Sequence, residues 1–341
     1  MKSKKSLGLA HRSLKRSLGQ NFLRDKRILK KIADFAQIEK EDTVVEVGPG
    51  EGTLTSFLLE KAKKVIAIEK DSDLALLLRE KFKEEIKLSK LEVVDGDILD
   101  LEIQNIFSPQ VQKCTDIFLL KNSCVARLES ASQGISKLAD SKYFRKTYKL
   151  VGNIPYYITG ALFKKALEAE NPPKSITFVV QKEVAERIMG SHFVNTSRDK
   201  SRGKESILSI SIKVYGTPEY GGVIKAGSFY PKPKVDSAII SVRNISKENF
   251  LRTLLRFPIS QGESLGNLEQ KFFEILKKGF AHKRKLLIKN LAEVSRLNLD
   301  TSNLKEIFDE CGISEKARAE NLKVSDWLCL AKKFSPKISD I

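Results

Sequence analysis

Short apolar runs alternate with helix-forming stretches along the first half of the chain, and no other feature restricts its fold as strongly. DKRILKKIADFAQI places Ile28, Ile32 and Phe35 at helical spacing, and TVVEVG is an apolar run that ends in a Gly-Pro-Gly turn. TLTSFLLEKA then reads as a helix, KVIAIEKD as a strand, DLALLLREKF as a helix and LEVVDGDIL as a strand. Strands that alternate with helices need crossover connections, so the pattern predicts an α/β fold with a parallel sheet covered on both faces. YKLVGN, TGALFKKALEAE, SITFVVQ and KEVAERIMG continue it. ILSISIKVY predicts a further helix, and paired strands are expected around the Pro-rich turn of SFYPKPKVDSAIISV.

Two segments depart from the alternation. Between Ile98 and Tyr148 no period persists, and residues 104–146 read as an insertion in a long connection. From about Ile245 the patterns are helical only, as in EQKFFEILKKGFAHKRKLLIKNLAEV and VSDWLCLAKKF. The expected organisation is a basic arm over 1–20, an α/β domain over 21–245 that carries the insertion, and a helical C-terminal domain over 246–341.

Charge and cysteine usage narrow the partners. Lys and Arg outnumber Asp and Glu by 61 to 43, a formal net charge of +18 that favours a polyanion, with nucleic acid ahead of an anionic membrane. The first twenty residues hold Lys2, Lys4, Lys5, Arg12, Lys15 and Arg16 and no acidic residue, which predicts a flexible arm able to order on phosphates. No run approaches the eighteen or so apolar residues of a membrane span, and the N-terminus lacks the apolar core of a secretory signal, so a soluble cytoplasmic protein is expected. Cys114, Cys124, Cys311 and Cys329 form no CxxC pair, and His11, His192 and His282 add no zinc-type cluster. A reducing compartment and a metal-free protein are the expectation.

Chemistry-bearing residues collect at strand ends. Gly48, Gly50 and Gly52 follow the first strand of the alternation, where glycine lets a backbone approach a ligand, although tight turns use the same residues. The third glycine falls one position early for GxGxxG and no GxxxxGK occurs, which disfavours nicotinamide and nucleoside triphosphate sites. Glu69 ends the next strand, placed to accept from ribose hydroxyls, and Asp97 ends the one after. Each carboxylate alone also suits a solvated strand end, but the carboxyl edge of a doubly wound sheet is where ligands bind. The fourth strand ends in Gly152-Asn153-Ile154-Pro155-Tyr156, which joins an amide acceptor, a rigid turn and an aromatic face.

SLGQNFLRD at 17–25, VVEVGPGEGTLT at 44–55, AIEKD at 67–71, DGDIL at 95–99, GNIPYYIT at 152–159, QKEVAERI at 181–188 and SFYPKPKVDS at 228–237 together resemble the ribosomal RNA adenine dimethyltransferase family. The resemblance implies a Rossmann-like methyltransferase domain with a small all-helical C-terminal domain, and S-adenosylmethionine as methyl donor. It implies cofactor contacts from Asn21, Leu23, Gly48, Glu69, Asp97 and Asn153. An adenine amine is a poor nucleophile while its lone pair is delocalised into the ring. Asn153 and a main-chain carbonyl of the Ile154-Pro155 turn would accept its two hydrogens and aim the lone pair, with Tyr156 stacked on the base and Phe229 as the other wall. No strong general base is needed, because the alkylated amine loses its proton to solvent.

GFAHKRKLLIKNL at 279–291, RAENLKVSDW at 318–327 and FYPKPKVDSA look like the small-subunit branch of that family. They imply dimethylation of two adjacent adenines near the 3′ end of 16S rRNA, free or in an assembling 30S subunit, by a monomer. Arg284, between Lys283 and Lys285 on an expected helix, would hold phosphates. The rivals are a 23S rRNA methyltransferase of the resistance type and a non-catalytic RNA-binding assembly factor; intact Asn153 and Tyr156 argue against the second. The chain departs from the family in its long connection between Asp97 and Asn153, and in Tyr157, where Asn is common.

Overall fold

The computed structural model describes residues 20–101, 147–190, 204–248, 250, 265–292 and 301–334. The insertion at 104–146 and all but the last residue of the basic arm lie outside the described residues. In chain order the first elements are β1 (Phe22–Leu23), α1 (Lys26–Phe35), β2 (Thr43–Val47), α2 (Thr53–Leu59), β3 (Lys64–Glu69), α3 (Ser72–Lys81), α4 (Lys83–Lys87) and β4 (Leu91–Asp95). They are followed by β5 (Tyr148–Asn153), a 3-10 turn (Tyr156–Ile158), α5 (Thr159–Glu168), β6 (Ser175–Gln181), α6 (Lys182–Met189), α7 (Ile207–Tyr215), β7 (Thr217–Ile224), β8 (Phe229–Tyr230) and β9 (Ser237–Arg243).

Local sequence accounts for these starts. Asp25 caps α1 by accepting from the Arg27 amide at 2.9 Å, and Leu29, Ile32 and Ala33 then fall on one buried face. Asp71 caps α3 in the same way through Asp73.

The main sheet has seven strands in the order β4-β3-β2-β5-β6-β9-β7. Its first five strands are parallel, but β9 runs antiparallel to both β6 and β7, so the sheet is mixed rather than parallel throughout. The runs flanking the Pro-rich turn do not pair with each other: β8 joins β1 in a separate two-stranded ladder, and β9 enters the main sheet. Pro231 and Pro233 lie between them, and without N–H groups they break a hairpin ladder. β7 escaped the sequence reading because TPEYGGVI carries a proline and two glycines, residues that an edge strand tolerates and a central one does not.

Alternate strand residues feed two apolar clusters on opposite faces of the sheet. Val44, Val65 and Ala67 join Leu29, Ile32, Leu54 and Leu58 beneath α1 to α3. Val45, Ile66 and Ile68 join Phe163 and Phe178 in a larger core that continues through Tyr215 to Phe272 and Trp327. The last two residues belong to the C-terminal helices α8 (Leu265–Gly279), α9 (Leu287–Ala292), α10 (Thr301–Glu310) and α11 (Val324–Lys333). The Tyr215 ring packs 6.1 Å from both Phe250 and Phe273, and its hydroxyl donates to Glu269, so α7 anchors the helical part.

Two expectations fail in that helical part. Lys283, Arg284 and Lys285 lie in an exposed turn between α8 and α9, not on a helix; buried Asn290 staples the turn through Gly279 O at 2.6 Å and His282 O at 3.2 Å. Cys311 and Cys329 are joined by a disulfide that ties the end of α10 to α11, so these two are not the scattered free thiols that the sequence suggests. They stand 18 residues apart, a separation with no motif that announces proximity.

Gly279 ends α8 against the indole of fully buried Trp327, and a methyl there would stand 2.3 Å from Trp327 Cη2 and 2.8 Å from Leu287 Cδ1. Gly279→Ala is therefore expected to lower stability by about 1–3 kcal/mol, the usual range for overpacking. A chemical denaturation midpoint indistinguishable from wild type would show that the indole yields freely.

Candidate active site

The cleft follows from strand order. The chain leaves β2 outward through β3 and β4, then returns to β5 on the other side of β2, so the crossovers diverge above the carboxyl ends of β2 and β5. The register sets Val47 level with both Ile68 and Gly152, and Glu69 level with Asp95. Gly48, Glu69, Asp97 and Asn153 consequently rim one open cleft, a space of about 990 Å³ when the solvent in its mouth is included. Asn21, Leu23, Gly50, Ile154, Pro155 and Tyr156 line it too, so the strand ends and the N-terminal motif singled out in the sequence converge.

The glycine loop is tied to Glu69. Gly50 adopts φ +58°, and its amide donates to Glu69 Oε2 at 3.0 Å, while the Asp71 amide donates to Oε1 at 2.9 Å. A side chain at position 50 would also meet the Phe22 ring at 2.8 Å, so both backbone angle and space select glycine. Burial raises the Glu69 pKa against the lowering effect of these amides. Beneath it Glu46, 1 % exposed, accepts from Thr55 Oγ1 at 2.6 Å, and burial followed by the nearby Glu69 charge pushes its pKa from 4.5 to about 8. Lys81 Nζ donates to Glu51 O at 2.7 Å and fastens the loop from the α3 side.

Asp97 sits one strand further along. Its Oδ1 accepts from the Leu99 amide at 2.9 Å and its Oδ2 from Lys70 Nζ at 2.7 Å. Partial burial acts to raise its pKa, but the Lys70 contact and the Leu99 amide outweigh that and hold it below the ordinary aspartate value.

At the β5 end, Asn153 Nδ2 donates to the main-chain carbonyl of Asn21 at 2.9 Å. A carbonyl only accepts, so the amide nitrogen must face Asn21, and Oδ1 is left as the acceptor toward the cleft. Pro155 O takes the Ile158 amide at 3.2 Å, so of the two carbonyls of the Ile154-Pro155 turn this one is already engaged. The Tyr156 hydroxyl shares a 2.7 Å hydrogen bond with Ser237 at the start of β9, which fixes the half-buried ring in the cleft wall.

Phe229 is placed otherwise. It is 5 % exposed, pairs with Leu23 across the small ladder, packs in the apolar cluster of Leu29 and Leu54, and does not line the cleft. The aromatic beside the proline turn serves the core here, and the wall belongs to Tyr156.

Sequence reasoning missed Phe22, Glu46 and Lys70, and noted Tyr157 only as a departure from the family's usual Asn; all four line the cleft. Glu46 carried a signal, since a carboxylate inside the apolar run TVVEV must be buried. Lys70 and Tyr157 neighbour residues already chosen. Phe22 had none.

A sheet that opens at its switch point between a buried, amide-bound carboxylate and a tethered side-chain amide has the architecture of the Rossmann-like methyltransferases, and this chain falls in that class. The sequence matches the family of ribosomal RNA adenine dimethylases over residues 11–335. It is 32% identical over 324 residues to the ribosomal RNA small subunit methyltransferase A of Dehalococcoides mccartyi strain 195, covering 94% of this chain and 89% of the relative. The Fusobacterium nucleatum protein of the same name is 30% identical over 321 residues, covering 94% of this chain and 97% of that one. The chain belongs to the ribosomal RNA adenine dimethylase family. Two crystal structures share the fold: a dimethyladenosine transferase from Plasmodium falciparum (TM-score 0.62, 23% identity, 91% of this chain and 95% of that chain) and the 23S rRNA methyltransferase ErmE (TM-score 0.61, 24% identity, 93% and 100%).

S-adenosylmethionine is the methyl donor of this family, and the donor set fits it: buried carboxylate lone pairs at Glu69 for a ribose diol, and the Asp97 carboxylate for an adenine amine.

Proposed function

We propose that this chain transfers methyl groups from S-adenosylmethionine to the N6 amines of two adjacent adenines near the 3′ end of small-subunit rRNA. The fixed orientation of Asn153, a cleft-lining residue whose nitrogen is committed to Asn21 O and whose oxygen is thereby left as the acceptor, is the observation that carries the proposal. Glu69, Asp97, Gly48, Asn21 and Leu23 hold the cofactor, which when bound supplies an electrophilic methyl on a sulfonium. Asn153 Oδ1 and the Ile154 carbonyl accept the two amine hydrogens and turn the nitrogen lone pair toward that methyl. Tyr156, tethered by Ser237, stacks on the extruded base. The amine proton leaves to solvent through the open mouth.

The basic turn Lys283-Arg284-Lys285 supports RNA backbone binding by the helical part over 246–341, since phosphate contacts position a duplex without reading it. Among the described residues no helix is long and apolar enough to cross a membrane. We place the protein in the cytoplasm as a monomer that acts without a metal.

Labelled S-adenosylmethionine incubated with unmethylated small subunits and, in parallel, with large-subunit rRNA tests this. Dimethyladenine at adjacent positions in the small subunit is the expected result. Label only in large-subunit RNA would move the chain to the 23S-modifying branch, and label in neither would leave an RNA-binding factor.

A further inference from the structure

Tyr157 is 63 % exposed at the mouth of the cleft, beside the half-buried Tyr156. Successive residues of a 3-10 turn point about 120° apart, so the two rings cannot share a face. Tyr156 is turned inward by its bond to Ser237, and Tyr157 is thereby turned outward, with no hydrogen bond to another described residue. Lys70, whose side chain is about half exposed, is close enough for the two groups to interact electrostatically. The other exposed tyrosine at this edge, Tyr230, already has the Arg24 guanidinium 5.4 Å over its ring. Among the described residues Tyr157 has no such cover. An aromatic face left to water beside a seat for an extruded base, next to a cation, suits a second nucleobase, because every base offers a π face to stack.

We propose that Tyr157 is a stacking platform for the nucleotide that flanks the target adenine, a second base site just outside the catalytic cleft. The proposal rests on the reading of this cleft as an adenine site. Tyr156 takes the adenine being methylated, and Tyr157 takes its single-stranded neighbour and holds the strand open.

The test uses full-length protein and a small-subunit rRNA hairpin with 2-aminopurine placed in turn on either side of the adjacent adenines. Wild type is expected to quench the fluorescence of one flanking probe by stacking. Tyr157→Phe keeps the quenching, whereas Tyr157→Ala and Tyr157→Asn abolish it and raise the KM for RNA about tenfold, with kcat falling less. Thermal unfolding of each variant separates misfolding from loss of contact, and the Phe variant preserves the ring in any case. Equal quenching by wild type and Tyr157→Ala, or none by wild type at either flank, would overturn the platform. Absence of any methylated adenine with wild type would instead overturn the reading of the cleft, while the fluorescence still reports on stacking.

Discussion

Replacing Asn153 by alanine is expected to lower kcat by about 10²–10³-fold, the usual loss when one preorganised hydrogen-bonding group of a reaction site is removed. The effect falls on kcat because Asn153 Oδ1 is aimed before substrate arrives: its nitrogen is already committed to Asn21 O at 2.9 Å. An amine that lacks this acceptor keeps its lone pair in the ring and presents a poor nucleophile. Aspartate is not expected to restore activity, although it supplies acceptor oxygens. One carboxylate oxygen would then face the Asn21 carbonyl, and the repulsion would turn the group away from the cleft. Single-turnover methylation of small subunits with saturating S-adenosylmethionine measures this directly. A rate within threefold of wild type for Asn153→Ala would show that the amine is oriented elsewhere.

That chain of contacts also shows where sequence reading reaches its limit. The parallel half of the sheet was legible because crossover helices and apolar strands repeat with a regular period, and strand order then gathers Gly48, Glu69, Asp97 and Asn153 without further information. The antiparallel half was not, since β7 reads as a turn-rich segment and its strand character comes only on folding, from a ladder with β9 that runs from Ile224 opposite Ser237 to Thr217 opposite Arg243.

The role of Asn21 was invisible for a similar reason. It acts through its main-chain carbonyl, which every residue has, so the sequence marks the position only by family resemblance. Phe229 shows the reverse error: an aromatic next to prolines looks like a pocket wall, but its register partner Leu23 carries it into the core. Lys283, Arg284 and Lys285 extend a helical pattern in sequence, yet Asn290 draws the carbonyls of Gly279 and His282 together and closes a turn. In each case a partner outside the local pattern decided what that pattern left open.

Glu46 leads to the second large effect. Its carboxyl is buried under the glycine loop, and its pKa rises from 4.5 to about 8 through burial first and the Glu69 charge next, against the Thr55 hydrogen bond. The folded protein therefore holds a proton that the unfolded chain has already released between those two values. Stability contributed by this group is fully present below pH 4.5, declines as pH rises and is lost above about pH 8. The slope is about 1.4 kcal/mol per pH unit within the window, so several kcal/mol are at stake. Glu46→Gln is the informative variant, because its amide carbonyl still accepts from Thr55 Oγ1 and it cannot ionise. The stability of Glu46→Gln relative to wild type is expected to increase steadily as the pH is raised from 5 to 8 and then to level off. Denaturant unfolding of both proteins across that range isolates the group together with its coupling to Glu69 and Lys81, since the remaining titrations are common to the two. A difference that stays constant with pH would mean that water reaches the carboxylate and that the floor of the cleft is not closed.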